Sequence, residues 1–213
     1  MSVNALSVRE VLTLAPVTPV LVVDDPRQSV PLARALVDGG LRVLEVTLRT
    51  PAGLSAITAM REALPDAIVG AGTVLNETQL QEAVRAGSQF IVSPGFSASL
   101  VRASQSLHVP VLPGCVTATE IMMALEHGLD TLKFFPASRS GGAPLLKDFS
   151  SVFPQVRFCP TGGIDLNNAA DYLSLPNVLC VGMSSIATAE AIRNGDFEGI
   201  RTRAQQAAAL SPR

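Results

Sequence analysis

Tryptophan is absent from this chain, tyrosine occurs once, and aromatic residues make up only 4% of the 213 positions. Val, Leu, Ile and Ala must therefore fill the interior. The 47% apolar fraction is enough for the core of one domain, expected to span residues 1–213. Cysteine is scarce as well. Cys115, Cys159 and Cys180 are odd in number and lie in apolar runs without CxxC spacing, which argues against a disulfide framework. Buried, reduced thiols are expected, and with them a cytoplasmic compartment. The two histidines, His108 and His127, lie in helix-end contexts without a matching carboxylate or cysteine pattern. Both read as surface residues, and no metal site is expected. No apolar run approaches the roughly 18 residues of a membrane span, and the N-terminus lacks a basic stretch followed by an apolar one. A soluble chain with no membrane partner is the expectation. The formal charge is only −2, without long runs of one sign, so nucleic acid is not expected as a partner either. A GxSxG elbow and a recognisable Cys–His pair are also missing.

Lysine is the most informative scarcity. Fourteen arginines stand against two lysines, Lys133 and Lys147, so Lys133 does not belong to a lysine-rich surface. It sits in the apolar run LKFFPA (132–137). A charged amine there is costly unless it is paired, deprotonated or used covalently. One reading is a strand-end lysine that snorkels to solvent. The other is a desolvated lysine that forms a Schiff base with a carbonyl substrate.

What is present is a regular beat. Apolar segments read VTPVLVV (17–23), RVLEVTL (42–48), AIVGAGTV (67–74), FIVSPGF (90–96), VPVLPGCV (109–116), TLKFFPA (131–137), VRFCPTGGI (156–164) and VLCVGMSSI (178–186). Helical patterns alternate with them, among them GLSAITAMREAL, NETQLQEAVRAG, TATEIMMALEHG and DLNNAADYLSL. Asn76, Thr117 and Asp165 suit helix starts, and Gly39, Gly87 and Gly128 suit helix stops. An additional N-terminal helix is expected over 7–15, with Ser7 and Glu10 as a capping box and Pro16 beyond its end. Eight strands each followed by a helix point to an α/β fold, a (β/α)8 TIM barrel. An open, doubly wound sheet is the structural alternative, although no GxGxxG follows the first strand. The Ala-rich tail ending SPR reads as loose.

Polar residues fall where such strands should be apolar. In VLEVTLR, Glu45, Thr47 and Arg49 share one face, and Leu44, Val46 and Leu48 the other. Three polar groups on one buried face imply either a shared polar site or an internal ion pair. Thr73 and Lys133 add polar groups on other strands. Glycine and proline recur at the strand ends, in AGT, SPGF, LPGC, FFPA, PTGG and VGMSS, on the face where barrels of this kind carry active sites. Thr161-Gly162-Gly163 and Gly182-Met183-Ser184-Ser185 resemble an anion cradle, because small residues let backbone N–H groups approach a phosphate. Plain tight turns would use the same residues. Asp24 and Asp25 follow the first strand, where cap or turn roles are expected.

Glu45, Arg49, Thr73, Pro94, LKFFPA and PTGG, in this order, resemble the 2-keto-3-deoxy-6-phosphogluconate (KDPG)/4-hydroxy-2-oxoglutarate aldolase family, over essentially the whole chain. That resemblance implies a class I, Schiff-base aldolase of the Entner–Doudoroff pathway, assembled as a homotrimer and working without a cofactor. It further implies reversible cleavage of 2-dehydro-3-deoxy-6-phosphogluconate to pyruvate and glyceraldehyde 3-phosphate. Lys133 falls at the Schiff-base lysine and Glu45 at the general acid/base. Arg49 and Thr73 match the pyruvate end of the substrate site, with Pro94 in the same set. Gly162, Gly163 and Ser184 match the phosphate end, with Thr161 and Gly182 beside them. The family commonly reads VGGSW at the eighth strand end, where this chain departs at Met183 and Ser185. The C4-epimeric phosphogalactonate and unphosphorylated 4-hydroxy-2-oxoglutarate are alternative substrates. Two other classes stand beside this reading. A metal-dependent barrel aldolase or epimerase would lose activity with a chelator. A non-catalytic phosphate binder would have no reason to bury Lys133 and Glu45.

Overall fold

The computed structural model describes residues 6–210. All its strand pairings are parallel. Strands β1 (Val17–Leu21), β2 (Val43–Thr47), β3 (Ile68–Gly72), β4 (Ile91–Val92) and β5 (Val111–Leu112) lie side by side, and β9 (Val181–Met183) flanks β1. A second sheet joins β6 (Gly114–Cys115), β7 (Thr131–Phe134) and β8 (Arg157–Pro160). β-Branched residues and completely buried strands explain the parallel arrangement, since both faces are covered.

Pro113 separates β5 from β6. It has no N–H for a ladder, but its carbonyl accepts the Lys133 N–H at 2.9 Å. Further links run from the Phe158 N–H to the Asn177 carbonyl at 2.7 Å, and through a bridge pairing Thr161 with Gly182.

Two apolar clusters form. The larger lies between strands and helices. The smaller collects Val43, Ile68, Phe90, Val92, Leu112, Cys159 and Cys180, together with Val8, Val11 and Leu12 of helix α1 (Val8–Leu12). Ser7 caps α1 in a reciprocal box with Glu10. Full burial of Leu12 contributes about 1.5–3 kcal/mol to holding this helix against the strands.

Several expected elements change extent. The strands are shorter than the apolar runs, because residues at the end of each run, and at the start of some, lie outside the ladder in the connecting loops. DLNNAADYLSL is helical only over Ala169–Leu173. Asp165 turns the preceding segment instead, accepting N–H bonds from Asn167 (2.8 Å) and Asn168 (3.3 Å). The tail is not loose as far as it is described, since Phe197–Ala208 is helical with Asp196 as its cap. Its Ala204 packs where a side chain on Gly39 would stand, so the small residues of the tail are a packing surface. The terminal SPR lies outside the described residues.

All three cysteines are buried and unpaired. Burial, with Glu120 nearby, pushes the Cys115 thiol up to about 12. Its thiolate is then only about one in ten thousand at pH 8. A thiol reagent at that pH should find no fast-reacting cysteine in the native chain and three after denaturation. One thiol reacting at the rate of free cysteine would contradict this packing.

Candidate active site

The polar residues of the barrel-like strands converge at their C-terminal ends, around a cavity of about 220 Å³. Lys133 Nζ lies 3.0 Å from Glu45 Oε1 and 3.5 Å from Oε2, an ion pair whose side chains are 7% and 4% exposed. Glu45 therefore finds its partner on β7, not in Arg49 on its own strand face. Gly72 lies across from the carboxylate, and any side chain there would meet Glu45 Oε1. Its absence is what admits the carboxylate to this position. The next residue, Thr73, adopts φ +58°, a strained conformation for a β-branched residue costing about 1–3 kcal/mol. That turn brings Thr73 into the cavity wall. The Phe135 ring centroid lies 5.4 Å from Lys133 Nζ, within cation–π range.

Arg49 Nε donates to Thr47 Oγ1 at 3.2 Å, and Thr47 Oγ1 donates to the Leu21 carbonyl at 2.9 Å. On the opposite side, the Thr161 N–H donates to the Phe134 carbonyl at 2.9 Å and the Thr161 carbonyl accepts from Ala137 at 2.7 Å. These bonds tie the PTGG loop to the strand that carries Lys133. Gly162 turns at φ +100° against Phe135. Among the described residues, the Ser184 hydroxyl makes no hydrogen bond and faces the same cavity.

The cavity wall thus includes Lys133, Glu45, Arg49, Thr73, Pro94, Thr161, Gly162 and Ser184. Gly163 and Gly182 stand behind it. Gly163 packs on Ser138, and Gly182 leaves room for the Thr161 side chain. Val20, Thr47 and Phe135 complete the wall. Phe135, not singled out from the sequence, stands two positions beyond Lys133 and just past the end of β7. Met183 points into the core, and Ser185 borders a separate depression with Thr188 and Glu190. Neither departure from VGGSW lines the cavity.

Other candidates do not assemble. Asp25 accepts the Arg27 N–H at 3.0 Å, and the Arg27 guanidinium holds its carboxyl below the usual range. Asp24 pairs with Arg193 at 3.6 Å. His108 is exposed, while His127 is half-buried against Phe96, with ring centroids 5.3 Å apart. Among the described residues no group of three His, Cys, Asp or Glu is placed to hold a metal. A larger cavity of about 420 Å³ lies at the other ends of the strands, beside Leu6, Val11 and Ile68. It holds no lysine and no carboxylate, so size alone does not mark the site.

A parallel α/β fold with a buried lysine–carboxylate pair on a cavity wall suits the class of lysine-based carbonyl enzymes. Residues 8–203 match the model of the KDPG and KHG aldolase family, and the chain belongs to that family. It is 46% identical over 203 residues to the 2-dehydro-3-deoxy-phosphogluconate aldolase of Dickeya dadantii, covering 95% of each chain. A KDPG aldolase from Legionella pneumophila, solved with pyruvate captured at low pH as a covalent carbinolamine intermediate, superposes with TM-score 0.92. It is 44% identical, over 94% of this chain and 98% of the other. The 2-keto-3-deoxy-6-phosphogluconate aldolase of Zymomonas mobilis ZM4, solved with 3-phosphoglycerate, is 50% identical over 94% of each chain, with TM-score 0.89.

Proposed function

We propose that the chain is a class I aldolase that reversibly cleaves 2-dehydro-3-deoxy-6-phosphogluconate to pyruvate and glyceraldehyde 3-phosphate. The observation that carries this reading is the 3.0 Å contact of Lys133 Nζ with Glu45 on the cavity wall. Proton transfer within that pair yields a neutral amine and a neutral acid, and leaves no net charge in the buried site. Lys133 attacks the C2 ketone to give a carbinolamine, and Glu45 returns the proton to the departing hydroxyl, which leaves as water. The resulting iminium is the electron sink. Glu45, directly or through water, takes the C4 hydroxyl proton, the C3–C4 bond breaks, and its electron pair forms the enamine. Glyceraldehyde 3-phosphate leaves, Glu45 delivers its proton to C3, and water releases pyruvate from the lysine.

Arg49 and Thr73 hold the carboxylate end in this scheme, beside Pro94. Arginine suits that role because its planar fork meets a carboxylate with two parallel bonds. Thr161, Gly162, Gly163, Gly182 and Ser184 form the phosphate end. The 3-phosphoglycerate complex of the Zymomonas relative supports a phosphate-accepting site in this family. No metal or other cofactor takes part. Unphosphorylated 4-hydroxy-2-oxoglutarate is a second substrate, favoured by the description of the family itself. Assays of pyruvate release from both substrates and from the C4 epimer, with and without a chelator, test the assignment. No release from any of them, or loss of release with chelator, would overturn it.

The same reading takes residues 1–213 as one domain, a closed (β/α)8 barrel with an extra N-terminal helix, working in the cytoplasm. Support for closure comes from the hydrogen bonds of Phe158 and Lys133 to the segments flanking the gaps between sheets. For the compartment, the unpaired buried thiols are the support. No helix among the described residues is long and apolar enough to cross a membrane. Assembly as a homotrimer follows from the family resemblance, and the more than half-exposed Leu75 and Met122 offer apolar surface for it. Sedimentation equilibrium should return three times the 22.2 kDa chain mass. A monomer across a broad concentration range would refute the trimer.

A further inference from the structure

We infer that Thr47 is a positioning residue that sets the Arg49 guanidinium for the substrate carboxylate. This rests on the role given to Arg49 above. Thr47 is buried to 1% exposure on β2, whereas Arg49, two residues on, is exposed. A free arginine arm loses much rotamer entropy whenever it must hold one geometry. Glu45, on the same strand face, pairs with Lys133 Nζ, and among the described residues Arg49 has no ion pair with it.

The threonine hydroxyl has one proton, and it is committed to the Leu21 carbonyl at 2.9 Å. Only its lone pairs remain for Arg49, and Nε–H meets them at 3.2 Å. The polarity of the chain from Arg49 through Thr47 to Leu21 is therefore fixed. Using Nε on the anchor leaves both terminal nitrogens of Arg49 without a partner among the described residues. Those two form the fork that meets a carboxylate in a bidentate pair. A β-branched residue suits the anchor, since its χ1 is stiff and its methyl fills the wall.

Thr47→Val keeps the shape and removes the hydroxyl. It should raise KM for cleavage, and the pyruvate concentration that half-saturates borohydride trapping, about tenfold, with kcat within about twofold. Thr47→Ser keeps the hydroxyl and should stay within about twofold of the parent on every measure. In an Arg49→Gln background, Thr47→Val should add nothing, because the anchored group is gone. If Thr47→Val does not fold, Thr47→Cys carries the same comparison, since a thiol is a weak acceptor. Unchanged KM in Thr47→Val, beside a raised KM in Arg49→Gln, would overturn the positioning role and leave the role of Arg49 standing. No effect of Arg49→Gln would remove both. A Thr47→Val defect that persists in the Arg49→Gln background would show that the threonine acts on the wall and not through Arg49.

Discussion

Borohydride added with pyruvate should leave a reduced pyruvyl group on Lys133, and Lys133→Arg should abolish that adduct. The exposed Lys147 is the internal control, because non-specific modification reaches an exposed amine first. Lys133 is buried beside a carboxylate, so its modification requires a ligand that enters the cavity and condenses with the amine. Arginine keeps a cation for Glu45 but does not form the imine. Its fold should therefore survive, while turnover falls by more than about 10³-fold, the scale expected when a covalent nucleophile is removed. Lys133→Met gives the complementary result. It leaves the Glu45 carboxylate buried without its partner, which costs about 3–5 kcal/mol, so this variant should melt well below Lys133→Arg. Peptide mass mapping and thermal melts of both variants provide the check. An adduct on Lys147 alone, or none, would end the Schiff-base assignment.

Much of this site was legible because strands have a strict period of two. LEVTLR placed Glu45, Thr47 and Arg49 on one face, and all three do line the cavity. The scarcity of lysine singled out Lys133. Which carboxylate it meets was not readable from sequence spacing, since 88 positions separate the pair and strand order brings them together. Ladder ends were equally hidden. The run AIVGAGTV is broken by only one polar side chain, Thr73, and ends on Val74, yet β3 stops at Gly72, where the Glu45 carboxylate intrudes and Thr73 turns away. The sequence pattern reports burial, and burial continues past the strand into the loops that form the wall. Glycine was informative as a class but ambiguous one by one. Gly162 lines the cavity, whereas Gly163 and Gly182 act from behind it through the space their missing side chains leave to Ser138 and Thr161. The tail was misread because alanine has no strong pattern of its own, and the glycine that receives Ala204 lies far away in sequence.

Glu45→Gln and Ser184→Ala should fail in different ways, and measuring cleavage beside pyruvate enamine proton exchange separates them. Gln keeps the shape of Glu45 and can still accept from Lys133 Nζ, but it cannot take up and return a proton. General acid–base help is worth about 10²–10⁴-fold, so kcat for cleavage should fall by that order. Proton exchange at the enamine carbon should fall with it, because the same carboxylate serves both steps. Borohydride trapping should slow without disappearing, since solvent can replace part of the proton traffic in imine formation. Ser184 lines the cavity wall, with its hydroxyl free of other partners among the described residues. Losing one charge-assisted bond of about 1.5–3 kcal/mol should raise KM for the phosphorylated substrate about 10–150-fold. Pyruvate carries no phosphate, so its enamine exchange in Ser184→Ala should stay within about twofold of the parent. Impaired exchange there would place Ser184 nearer the lysine chemistry than the phosphate. Conversely, cleavage by Glu45→Gln within about threefold of the parent would reduce Glu45 to a structural partner of Lys133, and another group would have to move the protons.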